Sequence, residues 1–139
     1  MKLLFEEGVD PVLEQRVRDT FKQVKQHKRH NDLLVSVKQT NTLSRGLYKN
    51  IWIHGLPVEV TRRKKFRRIT SLITLKIQVG TSDGDLIELI AHEYKHYLDL
   101  RTWTDSSKYR HWEVRAGAFA YKKRKELVQP KAYGEVKTE

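Results

Sequence analysis

Two histidines four residues apart, His92 and His96, flank Glu93 within the run Leu86-Ile-Glu-Leu-Ile-Ala-His-Glu-Tyr-Lys-His-Tyr-Leu98. This stretch restricts what the chain can become more than any other. Residues four apart on a helix lie one above the other, so both imidazoles project from one face. That geometry lets two ring nitrogens clamp one Zn²⁺, while Glu93, one step round, reaches a water beside the metal instead of the metal itself. The expectation is a zinc hydrolase acting on peptide bonds. The context is helical. Ser82 can cap the start, Asp85 completes a capping-box-like pair, and Leu86, Ile87, Ile90, Tyr94 and Leu98 supply an apolar stripe. Lys95, between Glu93 and His96, is expected to point to solvent.

A catalytic zinc takes three protein ligands and keeps one open position. The chain has no cysteine, so the third ligand must be His, Glu or Asp. The segment Tyr109-Arg-His-Trp-Glu-Val-Arg-Ala-Gly-Ala-Phe-Ala-Tyr121 carries the candidates. Ala116, Gly117 and Ala120 share a stripe with Glu113. Small residues there permit close approach to the motif helix, which would bring Glu113 to the metal. Trp112, Ala116, Phe119, Ala120 and Leu127 mark a buried face. His111 stands 15 residues after His96 and is the rival. Glu113 and His111 are two apart and point to nearly opposite sides of a regular helix. Glu113 is favoured because Ala116, Phe119 and Ala120 are in phase with it. Asp99 and Asp105 are weaker candidates; Asp99 is placed to orient an imidazole.

His92-Glu93-x-x-His96 followed by Glu113-x-x-Ala116-x-x-Phe119-Ala120 resembles the ImmA/IrrE-like metallopeptidases, over about the last third of the chain. The resemblance implies that His92, His96 and Glu113 are the zinc ligands and that the substrate is a protein, in some members a repressor. With His111 as third ligand, the pattern is similar instead to the SprT-like proteases, which cut proteins crosslinked to DNA. In either case one zinc ion is expected per chain, with Glu93 as the base. Tyr97, Tyr109, His111 and Tyr121 are the side chains available to support the developing oxyanion. Tyr94 and Tyr97 are also expected as packing residues, and His27, His30 and His54 as plain surface or strand histidines.

At 139 residues, with 38% apolar and 32% charged positions, residues 1–139 are expected to form one domain with a modest core and a loose tail at about 130–139. No apolar run is long enough to cross a bilayer, no signal peptide is evident, and an intracellular, cytoplasmic location without membrane partners is expected. The formal net charge of +11 attracts acidic proteins or nucleic acid. The densest cluster, Arg62, Arg63, Lys64, Lys65, Arg67 and Arg68, is the candidate contact for such a partner. Lys122–Lys125 and Lys25–His30 are further basic runs. No helix-turn-helix, zinc-finger or RNA-recognition signature supports reading of bases.

Along the chain, residues 1–9 suit a tail or edge strand. Asp10 caps a helix that has Pro11 in its first turn and Leu13, Val17, Phe21 and Val24 on one face, running to about Lys28. Strands are expected at Leu33–Val37, Leu47–Ile53 and Ile69–Val79, with a short one at Val58–Val60. Turns fall at Asn41–Gly46 and Gly80–Gly84, and the last helix spans about Ser107–Val128. This order implies an α+β, small zincin-like fold: an N-terminal helix, a twisted mixed sheet of three or four strands, the motif helix and a ligand helix. Ile69–Val79 is the candidate edge strand beside which an extended substrate would lie.

Overall fold

The computed structural model describes residues 1–26, 29–50, 69–100 and 109–128. Four strands and three helices lie within them: β1 (Lys2–Phe5), α1 (Pro11–Val24), β2 (Leu33–Gln39), β3 (Arg45–Asn50), β4 (Ser71–Ile77), α2 (Asp83–Leu100) and α3 (Tyr109–Leu127). The protein is α+β with a four-stranded mixed sheet in the order β1-β2-β4-β3. β1 pairs β2 and β2 pairs β4 in parallel, whereas β3 runs antiparallel to β4.

Helix α1 begins where the Asp10 side chain accepts the Val12 N–H at 2.8 Å, with Pro11 filling a first-turn position whose N–H needs no partner. It ends at Val24, earlier than the expected Lys28, because Lys25 turns to an extended conformation while its N–H still closes on the Phe21 carbonyl. Leu13, Val17, Phe21 and Val24 are all buried. They meet one face of the sheet, formed by Leu33, Val35 and Val37 of β2 and Ile73, Leu75 and Ile77 of β4, together with Leu86, Ile90, Tyr94 and Tyr97 of α2. The period-2 alternation of strands puts Leu34 and Leu72 on the opposite face, packed with Ile69 and Leu4.

Two expectations about strands change. Ser71–Ile77 lies inside the sheet, between β2 and β3, so β4 is not an edge; among the described strands β3 is. Ser71, Leu72, Ile73, Leu75 and Ile77 are all buried, drawn from both faces of the strand, which fits the interior position. Arg45 and Gly46, assigned to a turn, open β3 instead, for a reason that lies in the site below. Ile51–Ile53, Val58–Val60, Ser107 and the tail fall outside the described residues.

The motif helix starts as the sequence indicates, with the Ser82 hydroxyl accepting the Asp85 N–H at 3.2 Å. Arg16 of α1 anchors this end through the Thr81 carbonyl and Asp83. Helix α3 packs along α2 through Ala116 and Ala120, which are 0% and 1% exposed. Gly117 does not contribute to the close approach, since a Cβ there would meet nothing within 4 Å. Arg124 fixes the helix pair at one end through Asp85 (2.6 Å) and Glu88 (2.8 Å), and Arg115 at the other through Asp99 (3.1 Å). Among the described residues no helix is long and apolar enough to cross a membrane.

Candidate metal centre

Helix periodicity delivers His92 and His96 to the same face of α2, their rings edge to face with centroids 4.8 Å apart. The α2–α3 packing then brings a carboxylate to both. Glu113 Oε1 lies 2.5 Å from His96 Nε2, and Glu113 Oε2 lies 3.3 Å from His92 Nε2. His111, two residues earlier on α3, is exposed and does not line the pocket these residues form, which holds about 260 Å³ between Gly46, Leu47 and Tyr48 of β3 and the four residues His92, Glu93, His96 and Glu113.

Glu93 is 6% exposed and sits against β3. A Cβ built on Gly46 would stand 2.6 Å from Glu93 Cγ and 3.0 Å from Oε2, so only a residue without a side chain leaves room. This explains a glycine inside a strand, where it otherwise weakens the sheet. The Tyr48 backbone N–H donates to the Glu93 carboxylate and favours its charged form. Burial opposes this and is the larger effect; the nearby charge of Glu113 adds to it. Together they push the Glu93 pKa up to about 7. A carboxyl poised there exchanges protons at neutral pH, as a general base must.

His96 is 4% exposed. Burial pushes its pKa down, against the opposing attraction of Glu113, so the ring favours the neutral form that a metal requires. His96 Nδ1 is buried without a hydrogen-bond partner among the described residues. Asp99, expected to orient an imidazole, is turned away: its carboxylate takes Arg115 at 3.1 and 3.2 Å and Lys95 at 3.3 Å. Two cations within reach outcompete a neutral ring for it. Lys95 is correspondingly half-buried, also lying 5.6 Å from the Phe119 ring centroid, and does not simply project into solvent.

His92, Glu93 and His96 bring ligand atoms within 4.8 Å of one another, a set that could hold a metal ion. Glu113 lies closer to the two imidazoles than that spread. Two imidazole nitrogens and a carboxylate oxygen form the N/O donor set suited to zinc.

The tyrosines and the remaining histidines are placed differently from the sequence reading in part. Tyr94 and Tyr97 are fully buried packing residues. Tyr97 donates to Asp32 Oδ1, which removes it from the oxyanion candidates. Tyr121 is 58% exposed, lies under Lys125 and does not line the pocket. His30 is no surface histidine. It is 2% exposed, with Nε2 2.7 Å from the Tyr94 hydroxyl, which also accepts the Gln26 N–H at 3.0 Å. This polar cluster ties the motif helix to the chain entering β2. The Arg62–Arg68 cluster, Asp105, His27, His54 and the Tyr109 side chain lie outside the described residues. Sequence reasoning missed Gly46 and Tyr48; a glycine beside a strand-forming run was the available signal for a close approach.

No protein-family model, curated protein or solved structure matches this chain.

Proposed function

We propose that the protein is a zinc-dependent peptidase in which His92, His96 and Glu113 hold the ion and Glu93 is the general base. The observation that carries the reading is the carboxylate of Glu113, delivered by a separate helix onto both motif imidazoles, with Glu93 packed beside them against β3. The ImmA/IrrE-like resemblance assigns the same three ligands; the SprT-like alternative requires His111, which does not line the pocket. When bound, the ion lowers the pKa of a water towards about 7 and polarises the scissile carbonyl. Glu93 accepts the proton of the attacking water and passes it to the leaving amine. The Tyr48 N–H keeps that carboxylate aimed into the pocket, and Gly46 keeps the space for it. The neutral His96 ring would offer its Nε2 lone pair in the tautomer that carries the proton on Nδ1.

Metal analysis and proteolysis test the proposal together. Near one zinc per chain is expected in the wild type and in His111→Ala, and much less in Glu113→Ala. Glu93→Gln should retain zinc and lose cleavage of an unfolded protein substrate. Equal zinc in Glu113→Ala and wild type would remove Glu113 from the ligand set, and undiminished cleavage by Glu93→Gln would end the mechanism.

A further inference from the structure

The sheet face turned away from the helices carries a row of cations. Lys38 is the cross-strand partner of Lys76, and Lys76 is the partner of Arg45, so three positive side chains stand side by side on neighbouring strands about 4.8 Å apart. Lys49, paired with Leu72, shares their face. Like charges directly opposite one another destabilise a sheet, and little among the described residues relieves them. Lys38 has Glu6 at 3.6 Å. Among the described residues no carboxylate forms an ion pair with Arg45, Lys49 or Lys76.

These four cations line a groove of about 450 Å³ whose wall includes Gly46 and Leu47, and the same two residues line the pocket holding His92, Glu93, His96 and Glu113. The two concavities thus meet across β3, the edge strand. Leu47, 52% exposed, stands at the junction.

We propose that this groove is a subsite for acidic side chains of the substrate, so that the protein selects extended peptides carrying Asp or Glu close to the bond placed at Glu93. This rests on the peptidase reading for the cutting step, though not for binding. An acidic peptide fits better than nucleic acid. No aromatic side chain among the described residues lines the groove to stack a base, and the shared wall makes whatever occupies the groove continuous with the occupant of the pocket.

The test uses the full chain as Glu93→Gln, to prevent turnover, and a fluorescent peptide rich in Asp and Glu beside its Asn and Gln counterpart. Anisotropy should give at least about tenfold tighter binding of the acidic peptide, weakening as salt rises. Arg45→Glu with Lys76→Glu should abolish that preference. Lys22→Glu with Lys122→Glu, the same charge change on exposed turns of α1 and α3, should leave it intact, and circular dichroism establishes that each variant is folded. Equal binding of the two peptides, or an undiminished preference in the doubly reversed variant, would overturn the proposal. So would a single-stranded oligonucleotide that binds more tightly than the acidic peptide and loses affinity in the same variant. Acidic preference in a protein that holds no zinc would leave the subsite standing and remove the peptidase reading, so the two can fail separately.

Discussion

Replacing Glu93 by Gln should make the metal-free protein more stable at pH 8, although it removes the proposed base. In the folded protein this carboxyl titrates near 7 against an ordinary value of 4.5, so the folded state holds the proton more tightly than the unfolded chain. Stability attributable to Glu93 therefore falls as pH rises from 4.5, and levels off above about 7. At about 1.36 kcal/mol per tenfold change in proton affinity, the full penalty is about 3 kcal/mol. A Gln side chain carries no charge to desolvate, is not repelled by Glu113, and can still accept the Tyr48 N–H through its amide oxygen. Thermal unfolding in a chelator from pH 4.5 to 8, followed by circular dichroism, should give similar midpoints for the two proteins at the acid end. At pH 8 the variant should melt about 10 °C higher. Parallel pH profiles, or a variant that melts lower than wild type at pH 8, would refute the argument that burial and Glu113 hold this carboxylate in an unfavourable charged state.

Two further substitutions probe the glycines. Gly46→Ala places a methyl 2.6 Å from Glu93 Cγ and displaces the proposed base; the proposed peptide hydrolysis should fall by about 100-fold with zinc content unchanged, measured by turnover and metal analysis on the same sample. Gly117→Ala meets nothing, so it should stabilise α3 by about 0.5–1 kcal/mol in urea unfolding, through lower backbone entropy in the unfolded chain.

The helices were the legible part of this chain. Asp10-Pro11 and Ser82 carry local start signals that act over one turn, and the structure uses both. The stripes Leu13–Val24 and Leu86–Tyr94 specify their buried faces by periodicity alone. Meeting of Glu113 with His92 and His96 was accessible through Ala116 and Ala120, because residue size limits how near two helices can come. Strand order was not accessible in the same way. A run such as Leu72–Ile77 states that it is buried, not which strand lies on either side, and pairing depends on contacts distant in sequence. Asp99 failed for a related reason: its spacing from His96 was correct, but Arg115 arrives from another helix and takes the carboxylate. His30 is likewise buried against Tyr94, which is 64 residues away and beyond the reach of local spacing.

Because β3 has one neighbour among the described strands, a single ladder retains it there, whereas β2 and β4 are each gripped from both sides. That strand supplies both Gly46 and Tyr48. Excursions that peel it from β4 cost less than unfolding the molecule, and each one would hydrate Glu93 and erase the burial that raises its proton affinity. The acidity of the proposed base is therefore governed by the adhesion of one marginal ribbon, so substitutions at the β3–β4 seam can retune the site chemically without touching any of its functional side chains.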